Sequence, residues 1–160
     1  GLYLSTVQNR IMTKVQNNSL KAKLAASIMM TLPGNPFIYY GDELGINDEN
    51  LQHPDSTIFN HYTDLIRVWQ LHPALKVGSM IETSDQNVSV LSYIRYDSKT
   101  KENLLIIHNL SDKTQETFIR ELKSYDEKNI LYSVSNQDSI DKNLSKVVIH
   151  EYSSMIIRLN

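Results

Sequence analysis

The sequence predicts an α/β segment followed by an all-β domain, divided as residues 1–77 and 78–160. Three observations carry this. Apolar residues recur at helical spacing over 20–32 and again between Asp55 and Pro73, and a short apolar run precedes each of these stretches. Strand–helix–strand–helix order implies two β-α units and a parallel sheet. Beyond Gly78 the period drops, and six short β-branched and aromatic runs follow with turn residues between them. That is the pattern of an antiparallel β-sandwich.

Each element has its own reason. Leu2, Tyr3 and Leu4 form an apolar run expected as a buried strand, and a polar linker then leads to Asn18 or Ser19, either of which can N-cap a helix. In that helix Leu20, Leu24, Ile28 and Leu32, widened by Ala25 and Met29, make the face expected to meet a core, and Pro33 ends it. Gly34 and Asn35, between Pro33 and Pro36, supply a turn. Residues 37–40 are apolar and aromatic, as in a strand buried on both faces. Gly41 allows a sharp bend, and Asp42 and Glu43 place two carboxylates past the strand's C-terminal end, where parallel α/β folds bind ligands. The polar stretch 46–54 brings Asp48 and Glu49 near Asp55; these are oxygen donors of the kind calcium takes, but their spacing matches no calcium loop and a solvated loop is expected. Asp55 or Ser56 then caps a second helix with Ile58, Tyr62, Leu65, Ile66 and Trp69 on one face and Asn60, Asp64, Arg67 and Gln70 opposite.

In the second half, strands are expected over 88–96, 104–107, 114–119, 130–134, 146–149 and 155–159. Leu104, Leu105, Ile106 and Ile107 are continuous enough to be the central strand. The charged stretches 126–128 and 138–142 read as loops.

Composition excludes several function classes. A net charge of −2, from 16 basic and 18 acidic residues, gives no electrostatic case for nucleic acid or an anionic membrane. No apolar stretch is long enough to span a bilayer. With no cysteine there are no disulfides or thiolate metal sites. The histidines at 53, 61, 72, 108 and 150 form no i,i+4 pair, so no zinc site is expected. No Gly-x-Ser-x-Gly elbow or glycine-rich phosphate loop occurs. No secretion leader is visible in this sequence, so the cytoplasm is slightly favoured as an expectation, and a start without methionine suggests an N-terminus cut upstream.

The stretch LPGNPFIYYGDELG resembles the segment entering and leaving the eighth barrel strand of the α-amylase family, glycoside hydrolase family 13, through Gly34, Pro36, Tyr39, Tyr40, Gly41, Glu43 and Gly45. IRVWQLHPALKVGSM is similar to that family's last barrel helix and its exit, and VLSYIRYD with NLLIIHNLSDKTQE to its C-terminal β domain. The resemblance implies that residues 1–77 are the last two β-α units of a (β/α)8 TIM barrel, with the β-sandwich as its cap. The family's long insertion before the last helix is shortened here to 46–54.

The resemblance also implies a retaining glycosidase: a carboxylate nucleophile and a carboxylic acid about 5 Å apart, with a third carboxylate stabilising the distorted sugar. In the family the first two lie on strands four and five, outside the part matched here. The third ends strand seven, in a phrase aligned with YLSTVQNR through Gln8, Asn9 and Arg10. Ser5, Thr6 and Val7 then stand where the family has Asn, His and Asp, and Val7 has no ionisable group. No catalytic residue is therefore assigned. Arg10 is the substrate-side candidate, Tyr40 and Glu43 are expected to support the mouth from behind, and no metal ligand is named. Two functions are expected: a C-terminal portion of a glycosidase acting on α-linked glucose oligomers, inactive by itself, or a non-catalytic structural or carbohydrate-binding module. No cofactor is expected, calcium being left to the intact enzyme. Two β-α units leave apolar faces uncovered, so an N-terminal barrel segment or a second copy is the expected partner.

Overall fold

The computed structural model describes residues 10–49, 54–124, 129–141 and 143–159. Four helices come first: α1 Ile11–Lys14, α2 Ser19–Thr31, α3 Ser56–Leu71 and α4 Pro73–Val77. Asn18 caps α2, its side chain accepting from Lys21 N at 3.0 Å, and Asp55 caps α3 through Thr57 N at 2.8 Å. Pro73 ends α3 and opens α4, since a first-turn proline forfeits no helical hydrogen bond. Gly78 ends α4 where a Cβ would lie 2.3 Å from the Ala74 carbonyl oxygen and 2.9 Å from that of Tyr96, so the turn into the sheet admits no side chain.

Eight strands follow: β1 Ser79–Glu82, β2 Val90–Tyr96, β3 Asn103–Asn109, β4 Gln115–Phe118, β5 Ile130–Ser133, β6 Ser139–Asp141, β7 Lys146–Ile149 and β8 Ser154–Arg158. They form a five-stranded sheet in the order β1-β2-β3-β8-β5 and a three-stranded sheet in the order β4-β7-β6, with every pairing antiparallel. A 3-10 turn, Arg120–Ser124, follows β4.

β3 is the middle strand of the larger sheet, and alternation sends its side chains to two different cores. Leu104 and Ile106, with Tyr93 and Ile156, meet Ala22, Ala26 and Met30 of α2 and Ile58, Tyr62 and Leu65 of α3. Leu105 and Ile107, with Met155 and Ile157, meet Val147 and Ile149 of the small sheet and Ile119 and Leu122 beside it. Helices, large sheet and small sheet are thus three layers sharing a central one.

Several expectations are corrected. The run 37–40 is not a strand: it is irregular, with Phe37 80% and Tyr40 72% exposed, and no strand among the described residues pairs in parallel. A strand needs a hydrogen-bonding neighbour, and among the described residues none is set beside this run. In α2 the buried face is Ala22, Leu24, Ala26, Ser27, Met30 and Thr31, whereas Leu20 and Leu32 are exposed. Small side chains let α2 approach the sheet closely, so Leu20 and Leu32 turn outward while Leu24 stays in. The linker before Asn18 contains α1, and the loop 138–142 contains β6. β1 was not anticipated because all four of its residues are exposed and carry no alternation. Leu2, Tyr3 and Leu4, the Ser5-Thr6-Val7 departure and the stretch 126–128 lie outside the described residues.

Candidate functional site

The acid-rich segment after Pro36 does not form an open mouth; it closes on residue 10 and the start of α1. Gly41, at φ +94°, turns the chain, and a Cβ there would meet Arg10 Nε and Ile46 Cδ1, each at 2.8 Å. Consecutive bonds from Asp42 N to Tyr39 O, Leu44 N to Gly41 O and Gly45 N to Asp42 O wind 39–45 into tight turns. Three carboxylates then find partners within the cluster. Asp48 accepts from the Arg10 guanidinium at 2.6 Å and from Arg10 N at 3.3 Å. Asp42 accepts from Ile11 N at 2.7 Å, and Glu43 folds back to accept from Gly41 N at 2.9 Å. Thr13 Oγ accepts from Asp48 N, and the Tyr39 ring lies 5.6 Å from the guanidinium carbon.

The electrostatics divide the acids. Burial, reinforced by the charge of Glu43, raises the Asp42 carboxyl above its usual range against the pull of Ile11 N–H. Burial also opposes the charge of Asp48, but hydrogen bonds from Thr13 and Arg10 outweigh it and hold that carboxyl low. Arg10 is thereby committed to Asp48, with both side chains largely shielded. Tyr40 stands apart, exposed and turned away from this cluster's bonds.

The carboxylates of Asp48 and Asp55 both have partners within the protein. The Asp48 carboxylate is taken by Arg10, and that of Asp55 by Thr57 and Ser19. Among the described residues no three of His, Asp and Glu converge as a metal set, and no helix is long and apolar enough to cross a membrane.

A second polar cluster, unforeseen as a unit, lies between the helices and the sheet. Arg95 of β2 is fully buried and donates to the Thr31 carbonyl at 2.6 Å and the Gly78 carbonyl at 2.8 Å, the ends of α2 and α4. Helix C-termini carry partial negative charge, so two of them stand in for a counter-ion. Beside it Thr31 Oγ, Tyr93 OH and His108 share a network, and burial pushes the Tyr93 phenol up to about 12. The only sequence signal for it is Tyr93 and Arg95 two apart on one strand face, pointing at a helix end.

Comparison with known proteins adds the following. The family described as "Alpha amylase, catalytic domain" matches residues 5–140. Alpha-amylase 3 of Dictyoglomus thermophilum is 28% identical over 193 residues, covering 95% of this chain and 37% of that protein. A cyclomaltodextrinase of a Bacillus species is 31% identical over 121 residues, covering 68% of this chain and 21% of its own. Among solved structures, the Nostoc punctiforme debranching enzyme superposes with a TM-score of 0.74 at 22% identity, over 93% of this chain and 33% of that one. The alpha-amylase from H. orenii gives 0.73 at 24% identity, over 94% and 38%. At these identities the superpositions speak for the fold alone. The chain spans well under half the length of each of these proteins.

Proposed function

The chain belongs to the α-amylase family, and from that premise we infer that it is the C-terminal portion of a glycoside hydrolase whose intact form cleaves α-glucosidic bonds of starch-type oligosaccharides by the retaining route. The observation that carries this is the family match running from residue 5 to residue 140, through both halves of the chain. Residues 1–77 are read as the last quarter of a TIM barrel and 78–160 as its C-terminal β domain. In the intact enzyme the nucleophile and acid come from elsewhere in the barrel, so this segment contributes shape rather than proton transfer. Arg10 lies on the substrate side of the rim but is held by Asp48 in an ion pair, while Glu43 and the turn at Gly41 fix the rim that Tyr40 overlooks. We assign no cofactor to the segment.

By itself the chain releases no glucose from maltose, isomaltose or starch. Turnover by the purified 160-residue chain, abolished by no mutation elsewhere, overturns that statement. The protein carrying the upstream residues is expected to cleave starch with retention of the anomeric configuration; if it binds α-glucan without cleaving it, the module reading replaces the hydrolase.

That second reading has one observation of its own. Phe37 and Tyr40 are exposed on a run that has the composition of a buried strand, which supports an uncovered docking edge. The remaining barrel units, or a second copy in their place, would cover it. Light scattering is expected to show self-association of the isolated chain, and a monodisperse monomer at high concentration counts against it.

A further inference from the structure

The helical layer is joined to the five-stranded sheet through two histidines. His61, on α3 and 4% exposed, lies with Nδ1 2.5 Å from the hydroxyl of Tyr132 on β5. Its Nε2 is 2.8 Å from the Lys23 carbonyl and 3.2 Å from Ser27 Oγ, both on α2. A carbonyl only accepts, so Nε2 carries the ring proton and Nδ1 accepts from the phenol. Both nitrogens are spent in tying α2, α3 and β5 together, and the ring is shut off from solvent.

His108, on β3 and fully buried, repeats the arrangement. Its Nδ1 is 2.8 Å from Ser154 Oγ on β8, and its Nε2 is 3.2 Å from both Thr31 Oγ1 at the end of α2 and Tyr93 OH on β2. The Thr31 hydroxyl donates to Ser27 O at 2.6 Å, which leaves its oxygen to accept from the ring. This ring too is closed to solvent and bonded on both nitrogens.

Among the described residues no carboxylate bonds either ring. Around His61, Lys23 opposes protonation and Asp64, on the same helix, favours it from a distance without bonding the ring. Around His108 stand Tyr93 and, across the Thr31 carbonyl, the Arg95 guanidinium. By contrast, His72 and His150 each face a carboxylate, Glu102 at 2.6 Å and Asp138 at 3.2 Å. The core between the two sheets, built on Leu105, Ile107, Val147 and Ile149, contains no histidine among its described members.

We propose that the helices dock on the sheet only while His61 and His108 are neutral, so that acid releases the helical layer and leaves the two-sheet sandwich folded. Burial is the force behind it, pushing His61 down to about 4 and His108 to about 3 from the ordinary 6.5. Both shifts are downward, so below pH 6.5 the released state binds more protons than the docked one. Docking then weakens by about tenfold per ring for each pH unit, until each ring's own value is reached.

The full 160-residue chain supplies both reporters. Trp69, its one tryptophan, packs on α3 against the helix–sheet core, and the Ile107 and Ile149 methyls lie in the sandwich core. On lowering the pH from 7 to 4, the Trp69 emission shift is expected to precede any change in those methyl resonances and to reverse on neutralisation. In His61→Gln/His108→Gln, whose amides still donate and accept but do not titrate, the Trp69 midpoint is expected to fall by a pH unit or more. Simultaneous loss of both signals, or a midpoint unmoved in the variant, overturns the proposal. Should the double variant fail to fold at pH 7, the ring-proton shifts of the unaltered chain decide: either ring titrating near pH 6.5 while the Trp69 emission stays unchanged overturns it.

Discussion

Residues 104–107 lie between two strands and between two packed layers, while residues 37–40 have no strand beside them among the described residues. Both are four-residue runs of apolar or aromatic residues, the first aliphatic throughout and the second carrying two tyrosines. The difference is supplied by the surroundings. β2 and β8 take up the hydrogen bonds of β3, and its four apolar side chains divide between two cores. Among the described residues the run at 37–40 has no such neighbours, and its backbone is irregular with its rings exposed to solvent. An apolar run is a demand for partners, and it becomes a strand only when they are present.

The largest test acts on the satisfied run. Ile107→Ala removes a fully buried side chain facing the small sheet and is expected to cost about 2–5 kcal/mol by urea unfolding. A cost under about 1 kcal/mol would mean that burial on both faces is not what holds β3. Next, Arg95→Ala strips the donor from the Thr31 and Gly78 carbonyls at two helix ends. It is expected to cost about 2–4 kcal/mol for the two orphaned acceptors, read first in Trp69 emission because the damage lies on the helix side. Asp55→Ala removes the cap of α3 and its bond from Ser19; a loss of about 1 kcal/mol is expected. Tyr40→Ser acts on the unsatisfied run and is expected to move stability by no more than about 0.5 kcal/mol while lowering light scattering. A large stability loss there would show that 37–40 is packed after all, and the contrast with β3 would fail.

These cases also mark how far the residues alone could be read. Caps and periodicity are local, so Asn18, Asp55, Pro73 and the long α2 and α3 were legible, as were β3 and five other strands. The buried face of α2 was not, because Ala22 and Ala26 look less apolar than Leu20 and Leu32; closeness of approach, which favours small residues, decided it. β1 and β6 are short and largely exposed, and pairing with β2 and β7 rather than their own pattern makes them strands. At the candidate site, Arg10 and Glu43 were legible as residues but not by partner. That Asp48 would reach back 38 positions to Arg10 depends on the turn at Gly41. The histidine joints needed β3, β5 and the helices in place before scattered residues became neighbours.

The position of β8 has a consequence for the order in which the protein is made. In the large sheet it sits between β3 and β5, both of which precede it in the chain. During synthesis β1, β2 and β3 can assemble as a meander as they leave the ribosome, but β5 then has no neighbour to pair with. Its place is reserved by a strand not yet translated. Until β8 emerges, one edge of β3 stays open and both of its apolar faces are only half covered. The nascent chain must therefore hold its most hydrophobic ribbon exposed through some forty codons of translation, on the order of seconds at ordinary elongation rates.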